Sequence, residues 1–446
     1  MKITIDSFRH AMLPTTLALA VMAAWQTPAV AQSESSGSPE TAAASGTPVM
    51  LPSGLFEPTR GLYARLGQSV RFEDNIFRRG SGQESDVIGT TSATLGTRLF
   101  LSRQVLNIEG TVLRNVYQDN DQLDNTGYRL NGRLAWEVGN NLAGSVQAGV
   151  SRDQVPLDSL IDLPGGGGVV RNVKNQAKTR YLSFDGRYGL FSMWSLEAFG
   201  DLTDVDYTDT STALRARQNR TLGLGVLHKP SPDFNVGLRI SQTQGEYTND
   251  DFDRSDITVQ MSYAPGDRLR LKGSLSYADE KHDQIGGRDY SGLTGSVSAS
   301  YALTSKITLN AGFTRQTGTG ETASQRIVNS APAGSPPVLT PELSFLTDAR
   351  LSNILNVGAS WAATSKIAVR TSATVSRDNV DRSLIALPGS SSSTTTSTRF
   401  NLGASWAVHR IVGLSCDYSY IRRDAIASVS SYSANVVGCS ASVALE

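Results

Sequence analysis

What most constrains this chain is an alternation of period two that begins at Gly61 and recurs to its last residues. In the stretch GLYARLGQSVRFEDNIFR, from Gly61 to Arg78, apolar or small side chains occupy Leu62, Ala64, Leu66, Val70 and Phe72. Tyr63, Arg65, Ser69, Arg71 and Glu73 fall between them. A two-residue period places successive side chains on opposite faces of a strand, one greasy and one polar. About eighteen such segments follow one another, from 61–76, 88–101, 105–117, 127–137 and 142–152 through to 397–408, 411–422 and 432–445. No long amphipathic helix interrupts them. The simplest object that satisfies all of them is a sheet closed on itself, in which the last strand meets the first.

The connections alternate in length. Those at 102–104, 138–141, 190–192, 229–233, 265–267, 303–305, 363–365 and 409–410 are short. Those at 77–87, 118–126, 153–178, 208–216, 247–254, 280–288, 318–349, 379–396 and 423–431 are longer and more polar. Short turns on one side and long loops on the other are the pattern of outer-membrane barrels, with the short turns in the periplasm. The expected fold is therefore all-β: a transmembrane antiparallel up-and-down barrel of about eighteen strands, sixteen being the alternative. An even strand number puts both ends of the barrel chain in the periplasm.

The N-terminus fits a secreted protein. Lys2 and Arg9 precede an apolar run from Leu13 to Ala24, and Ala29-Val30-Ala31 fits the small-x-small rule for cleavage before Gln32. We read 1–31 as a signal peptide, 32–59 as a Ser/Gly/Ala-rich disordered leader, and 60–446 as the barrel. No later apolar run approaches the roughly 20 residues of a membrane helix. Basic and acidic side chains balance, so nothing suggests a nucleic-acid partner.

The tryptophans mark one rim. Trp136, Trp194, Trp361 and Trp406 each lie beside a short turn, on the apolar phase, with Tyr188, Tyr263 and Tyr301 in matching places. Amphipathic aromatics favour a membrane interface, so these are expected to form a periplasmic girdle.

Few residues point to chemistry. Cys416 and Cys439 fall on the apolar phase of the last two segments. A hairpin tip at Ala427–Ser428 makes them direct cross-strand neighbours, close enough for a disulfide that pins the register. His228, His282 and His409 do not cluster, and no Ser–His pair matches in height and phase. No catalytic, metal or cofactor site is expected, and the chain is read as a non-enzyme. The polar phase is the candidate functional surface. It carries Arg65, Arg71, Glu73, Arg98, Arg129, Arg133, Arg187, Arg239, Arg270 and Arg370, with Asp185, Glu197, Asp201, Lys272 and Asp417. In a barrel of this size such residues line a water-filled lumen, and their basic excess suits anionic solutes; the alternative is that mixed charges only solvate and brace the wall. Arg114 falls on the apolar phase, which implies either a snorkelling side chain or a bulge.

The opening pattern Gly61-x-Tyr63-x-Arg65-x-Gly67 with Val70-Arg71-Phe72-x-Asp74-Asn75-Ile76-Phe77-Arg78 resembles the first strand of the outer-membrane β-barrel family of the beta-barrel porin 2 type. Cys416-Asp417-Tyr418-Ser419-Tyr420-Ile421-Arg422-Arg423-Asp424 with Tyr432-Ser433-Ala434-Asn435 is similar to that family's closing hairpin. The resemblance implies an outer-membrane channel involved in exopolysaccharide export. Its partners would be membrane lipid, the secreted polysaccharide and periplasmic export components. Because barrel closure brings the first and last strands together, Phe72–Arg78 and Arg422–Asp424 are expected to meet near the outer rim. General diffusion porin and plugged structural barrel are the alternatives, with loops 153–178 and 318–349 as candidate plugs. The chain departs from the usual barrel ending, an aromatic residue, in closing on Val443-Ala444-Leu445-Glu446.

Overall fold

The computed structural model describes residues 61–155, 157, 174–208, 216–247, 250–283, 289–329, 339–384, 390–425 and 431–445. The expected signal and leader, 1–31 and 32–59, lie outside these residues, as does the Gly165–Gly168 run.

Eighteen strands make up the fold. They are β1 (Gly61–Glu73), β2 (Asp86–Leu101), β3 (Gln104–Tyr117), β4 (Asn125–Val138), β5 (Leu142–Gln154) and β6 (Gln176–Tyr188). Next come β7 (Trp194–Tyr207), β8 (Arg217–Ser231), β9 (Phe234–Tyr247), β10 (Asp250–Tyr263), β11 (Leu269–His282) and β12 (Tyr290–Ala302). The last are β13 (Ile307–Asn329), β14 (Leu339–Ala362), β15 (Ile367–Leu384), β16 (Ser390–His409), β17 (Val412–Ala425) and β18 (Tyr432–Leu445). Each pairs antiparallel with its chain neighbours, and β18 returns to β1, from Ala64 opposite Leu445 to Glu73 opposite Val436. The sheet is a closed barrel with no free edge.

The alternation sorts the side chains as the period requires. On β1, Leu62, Leu66, Val70 and Phe72 point outward and stay exposed, Leu62 at 65%. Leu95, Leu222, Leu224, Ile240, Leu293 and Val297 do the same around the wall. A soluble protein does not leave so continuous an apolar surface in water. Hydrocarbon is its natural solvent, and a closed barrel is one of two structures that can satisfy every backbone group there.

Three loops are shorter than the sequence implied. β13 and β14 continue as a paired ribbon to Asn329 opposite Leu339, so the expected loop 318–349 shrinks to 330–338. β15 and β16 pair as far as Ser383 opposite Ser390, which takes most of 379–396 into strand. Only 248–249 separate β9 from β10, where 247–254 was expected as loop. The physical reason is common to all three. Beyond the membrane a strand needs no apolar phase, so its ends carry no alternation to read.

The seam is braced at both levels of structure. Cys416 of β17 and Cys439 of β18 are directly opposed, Cα atoms 4.0 Å apart, and joined by a disulfide. On its other side Cys439 faces Val70 of β1. Above it the Asp74 carboxylate accepts from the Asn435 backbone N–H and from its Nδ2, both at 2.7 Å, and Asn75 Nδ2 donates to Ser433 O at 2.9 Å. Phe72–Arg78 and Arg422–Asp424 do not pair directly, because β18 lies between them. Tyr432 of β18 makes the link: the Arg78 and Arg423 guanidinium carbons lie 5.9 and 4.6 Å from its ring centroid.

Two stability outcomes follow. Cys416→Ser with Cys439→Ser lowers stability by about 2–4 kcal/mol, the usual value of a cross-link. Asp74→Ala lowers it by roughly 1–3 kcal/mol, since two donors of Asn435 lose their acceptor. Urea titration of the folded band on unheated gels measures both. Midpoints unchanged from wild type would show that the seam is held by backbone pairing alone.

Candidate functional site

The barrel lumen gathers the polar phase of every strand. Parity and burial put Arg65, Arg71, Glu73, Arg98, Arg129, Arg133, Arg187, Arg239, Arg270 and Arg370 on the inner face. They divide into two groups by partner.

The first group is paired. Glu197 on β7 binds Arg187 of β6, whose Nε donates at 3.0 Å, and Arg239 of β9, whose Nη2 donates at 2.8 Å. Arg239 sits two strands away and reaches because Gly225 of β8 lies between them; a Cβ there would come within 2.8 Å of the arginine's Cγ. Arg129 binds Asp153 of β5 at 2.8 Å. Glu73 pairs with Arg78 and, more loosely at 4.0 Å, with Arg71. Near the long-loop rim Arg254 of β10 holds Asp256 at 2.8 Å and Glu280 of β11 at 3.3 Å, and Glu280 meets His282 Nε2 at 3.0 Å. His282 was expected in an external loop. It is instead the last residue of β11, its ring buried and stacked on Phe252.

The second group has no such partner. Among the described residues Arg65, Arg98, Arg133, Arg270 and Arg370 form no ion pair. All lie a few residues from the short-turn ends of their strands. Together with Arg187 and Arg239 they place positive charge around the lumen at one level.

The wall is also uneven around its circumference. On β12, β13 and β14 the inner face carries Ser296, Ser298, Ser300, Thr308, Asn310, Thr314, Asn356 and Ser360, and no charged residue among those whose side chains are described. A cationic sector therefore faces a hydroxyl- and amide-lined one.

Aromatic rings pack over glycines on the inner face. Tyr63 covers Gly96 and its hydroxyl donates to Glu109 Oε2 at 2.6 Å, crossing from β1 over β2 to β3. Tyr181 covers Gly149 and donates to Asn131 Oδ1 at 3.1 Å in the same manner. Such rings tie three strands together and rescue the weak glycine positions. The sequence reading missed them, although a lumen-phase glycine between a tyrosine and a polar acceptor, each one strand away, was there to be noticed.

At the long-loop rim the chain folds over part of the opening. Ile76 and Phe77 from the β1–β2 loop, Leu123 from a 3₁₀ turn at Asp121–Leu123, and Leu157 pack on Ile88 and Tyr117 of the inner wall. Asp86 fixes this cover, accepting from the backbone N–H groups of Gln118 and Asp119 and from Asn120 Nδ2. Val155 N–H donates to Asn175 O at 2.9 Å, so both roots of loop 153–178 are held.

Trp194, Trp361 and Trp406 stand outward beside short turns, 60, 49 and 47% exposed. Trp136 shares that level, and Trp194 stacks on His228 with centroids 4.2 Å apart. No three His, Cys, Asp or Glu side chains among the described residues are arranged to hold a metal.

The sequence matches no protein-family model and no curated protein. Among solved structures the chain is similar to the ferric enterobactin receptor PfeA of Pseudomonas aeruginosa, at 10% identity and TM-score 0.44, covering 86% of this chain and 81% of that one. It is similar to the siderophore receptor PirA of the same organism, at 12% identity and TM-score 0.40, over 88% and 81%. It is also similar to Pseudomonas aeruginosa OpdL, at 12% identity and TM-score 0.43, over 87% and 99%.

Removing Glu197 separates structure from conduction. Glu197→Gln leaves Arg187 and Arg239 facing each other without a counter-charge, at a cost of about 3 kcal/mol for breaking a buried pair. The variant is expected to be less stable in urea, yet more anion-selective than wild type in reversal-potential measurements.

Proposed function

We propose that this chain is an outer-membrane channel that passes anionic solutes through its lumen. The supporting observation is the set of arginines at one level, Arg65, Arg98, Arg133, Arg270 and Arg370, that form no ion pair among the described residues. Charges that merely braced the wall would be expected to sit in pairs, as Arg129 does with Asp153. An unneutralised ring in a low-dielectric wall concentrates counter-ions in the pore. The apolar exterior and edgeless sheet fit residence in an outer membrane, with the short-turn rim and both chain ends in the periplasm.

The finer reading concerns cargo. The resemblance of the first and last strands implies a secreted polysaccharide and periplasmic export components as partners. A cationic sector facing Ser, Thr and Asn side chains is compatible with an acidic, hydroxyl-rich chain: guanidinium groups bind carboxylate or phosphate, and the neutral sector binds hydroxyls. A second reading, a barrel closed until a partner opens it, draws support from the cover built on Ile76, Phe77, Leu123 and Leu157.

Planar-bilayer recording of the mature protein tests both. A steady current with reversal potentials favouring chloride over potassium is expected. Arg65→Ala, Arg98→Ala and Arg133→Ala combined are expected to cut that preference severalfold. Silence in the wild type with current after deletion of 158–173 would support the gated reading. Silence in both would overturn the channel, and current without anion preference would leave a general diffusion pore.

A further inference from the structure

The strands of the closed barrel are not paired to the same height at every seam. At all seams but one, at least one of the two strands pairs to within two residues of its long-loop end. Between β12 and β13 the pairing stops at Gly295 opposite Arg315. β12 runs on to Tyr290 with β11 alone, and β13 runs on to Asn329 with β14 alone. The two strands part at the upper edge of the apolar belt. Leu293, Val297 and Phe313 face outward and are exposed there, and Ser291 and Arg315 begin the polar surface above.

Side chains, not a ladder, hold the parted strands. The Leu293 carbonyl of β12 accepts from Arg315 Nε and from Tyr290 Oη, each at 3.1 Å, in place of a β13 N–H. Thr317 Oγ1 of β13 accepts from Arg254 Nη1, which reaches it from β10 past β11 and β12. Arg254 belongs to the inner-face cluster with Asp256 and Glu280, so β13 leans to the lumen side of β12 as it leaves the wall. That accounts for Thr294, on the inner face of β12 next to the last pair. It is 4% exposed, and its Oγ1 is buried without a hydrogen-bond partner. A buried hydroxyl left unpaired costs free energy, so this contact gains when a polar group enters beside Thr294.

We propose that the β12–β13 seam is a side opening that takes one amphiphile, its hydrocarbon chain on the outer apolar surface and its uncharged, hydroxyl-bearing head turned into the lumen. The two faces of the seam favour this occupant. Outside, Leu293, Val297 and Phe313 offer contacts to a hydrocarbon chain. Inside, Thr294, Ser296 and Thr314 offer hydroxyls. β12 carries no charged residue from Tyr290 to Ala302, and the one charge on β13 between Ile307 and Thr317, Arg315, is engaged by Leu293 O. A strand of another protein adding to β12 would have to displace both donors on that carbonyl. Thr317 is the latch, and its release from Arg254 frees β13 to move off Thr294.

The test is native mass spectrometry of the full mature barrel, released from an octyl-ether detergent after exposure to dodecyl maltoside, to dodecyl dimethylamine oxide (the same chain without hydroxyls) or to free maltose. The barrel is expected to retain one dodecyl maltoside in preference to the other two. Thr317→Val, which removes the latch, should raise that retention severalfold. Thr294→Val with Ser296→Ala should lower it roughly tenfold, the scale of losing one or two neutral hydrogen bonds. Resistance of the unheated gel band to SDS checks folding. Should the double variant not fold, Ser296→Ala alone serves in its place. None of these readouts depends on conduction. Dodecyl maltoside retained no better than the amine oxide by the wild type and by Thr317→Val alike, or undiminished in the folded hydroxyl variants, would overturn the opening.

Discussion

In hydrocarbon an unpaired backbone N–H or C=O costs several kcal/mol, and no water is there to relieve it. The pairing of β1 with β18 is therefore what the rest of this protein depends on. It is also the hardest contact to make, because its two strands are separated by nearly the whole chain and bear the greatest loop-closure entropy. The reinforcement is placed accordingly. Asp74 grips Asn435, Asn75 grips Ser433, and a disulfide fixes β17 against β18 immediately beside the seam. Cross-linking that last hairpin presents β18 in one register, so only one register remains to be found against β1.

Once the backbone is fully employed, the side chains are free to specialise, and glycine sets how far they reach. Gly225 lets Arg239 span two strands to Glu197, and Gly96 lets Tyr63 span to Glu109. A third case has no bond yet the same plan. Asp417 of β17 stands between Gly403 of β16 and Gly438 of β18, with Arg370 and Arg71 one strand further on either side. Each glycine removes a wall between opposite charges. The lumen chemistry is thus written in pairs of strands rather than in single ones.

That division explains what could be read from the sequence. Alternation reports which face a residue occupies, and it located the strands of the barrel without structural help. Register reports which residues meet, and alternation is nearly silent on it. The two cysteines carried register information, because a hairpin tip midway between them, at Ala427–Ser428, sets them directly opposite each other. The partners Asp153 for Arg129 and Glu197 for Arg239 needed the pairing of the strands themselves. The same limit misplaced His282: a strand end outside the belt has no apolar phase, so β11 looked finished before it was. The extended ribbons of β13–β14 and β15–β16 were hidden for that reason also.

Position around the wall matters more than the number of charges. An eighteen-stranded barrel encloses an aqueous lumen, and at physiological salt a charge is felt over only about 8 Å of water. One arginine on such a wall acts on its own sector and leaves the far side unaffected. Arg65, Arg98, Arg133, Arg187, Arg239, Arg270 and Arg370 come from strands spread around the barrel but lie at nearly one distance from the short-turn rim. Arg187 and Arg239 share the Glu197 carboxylate, so that cluster adds one net positive charge to the level. The uncharged arc of β12–β14 then matters as a gap in that ring.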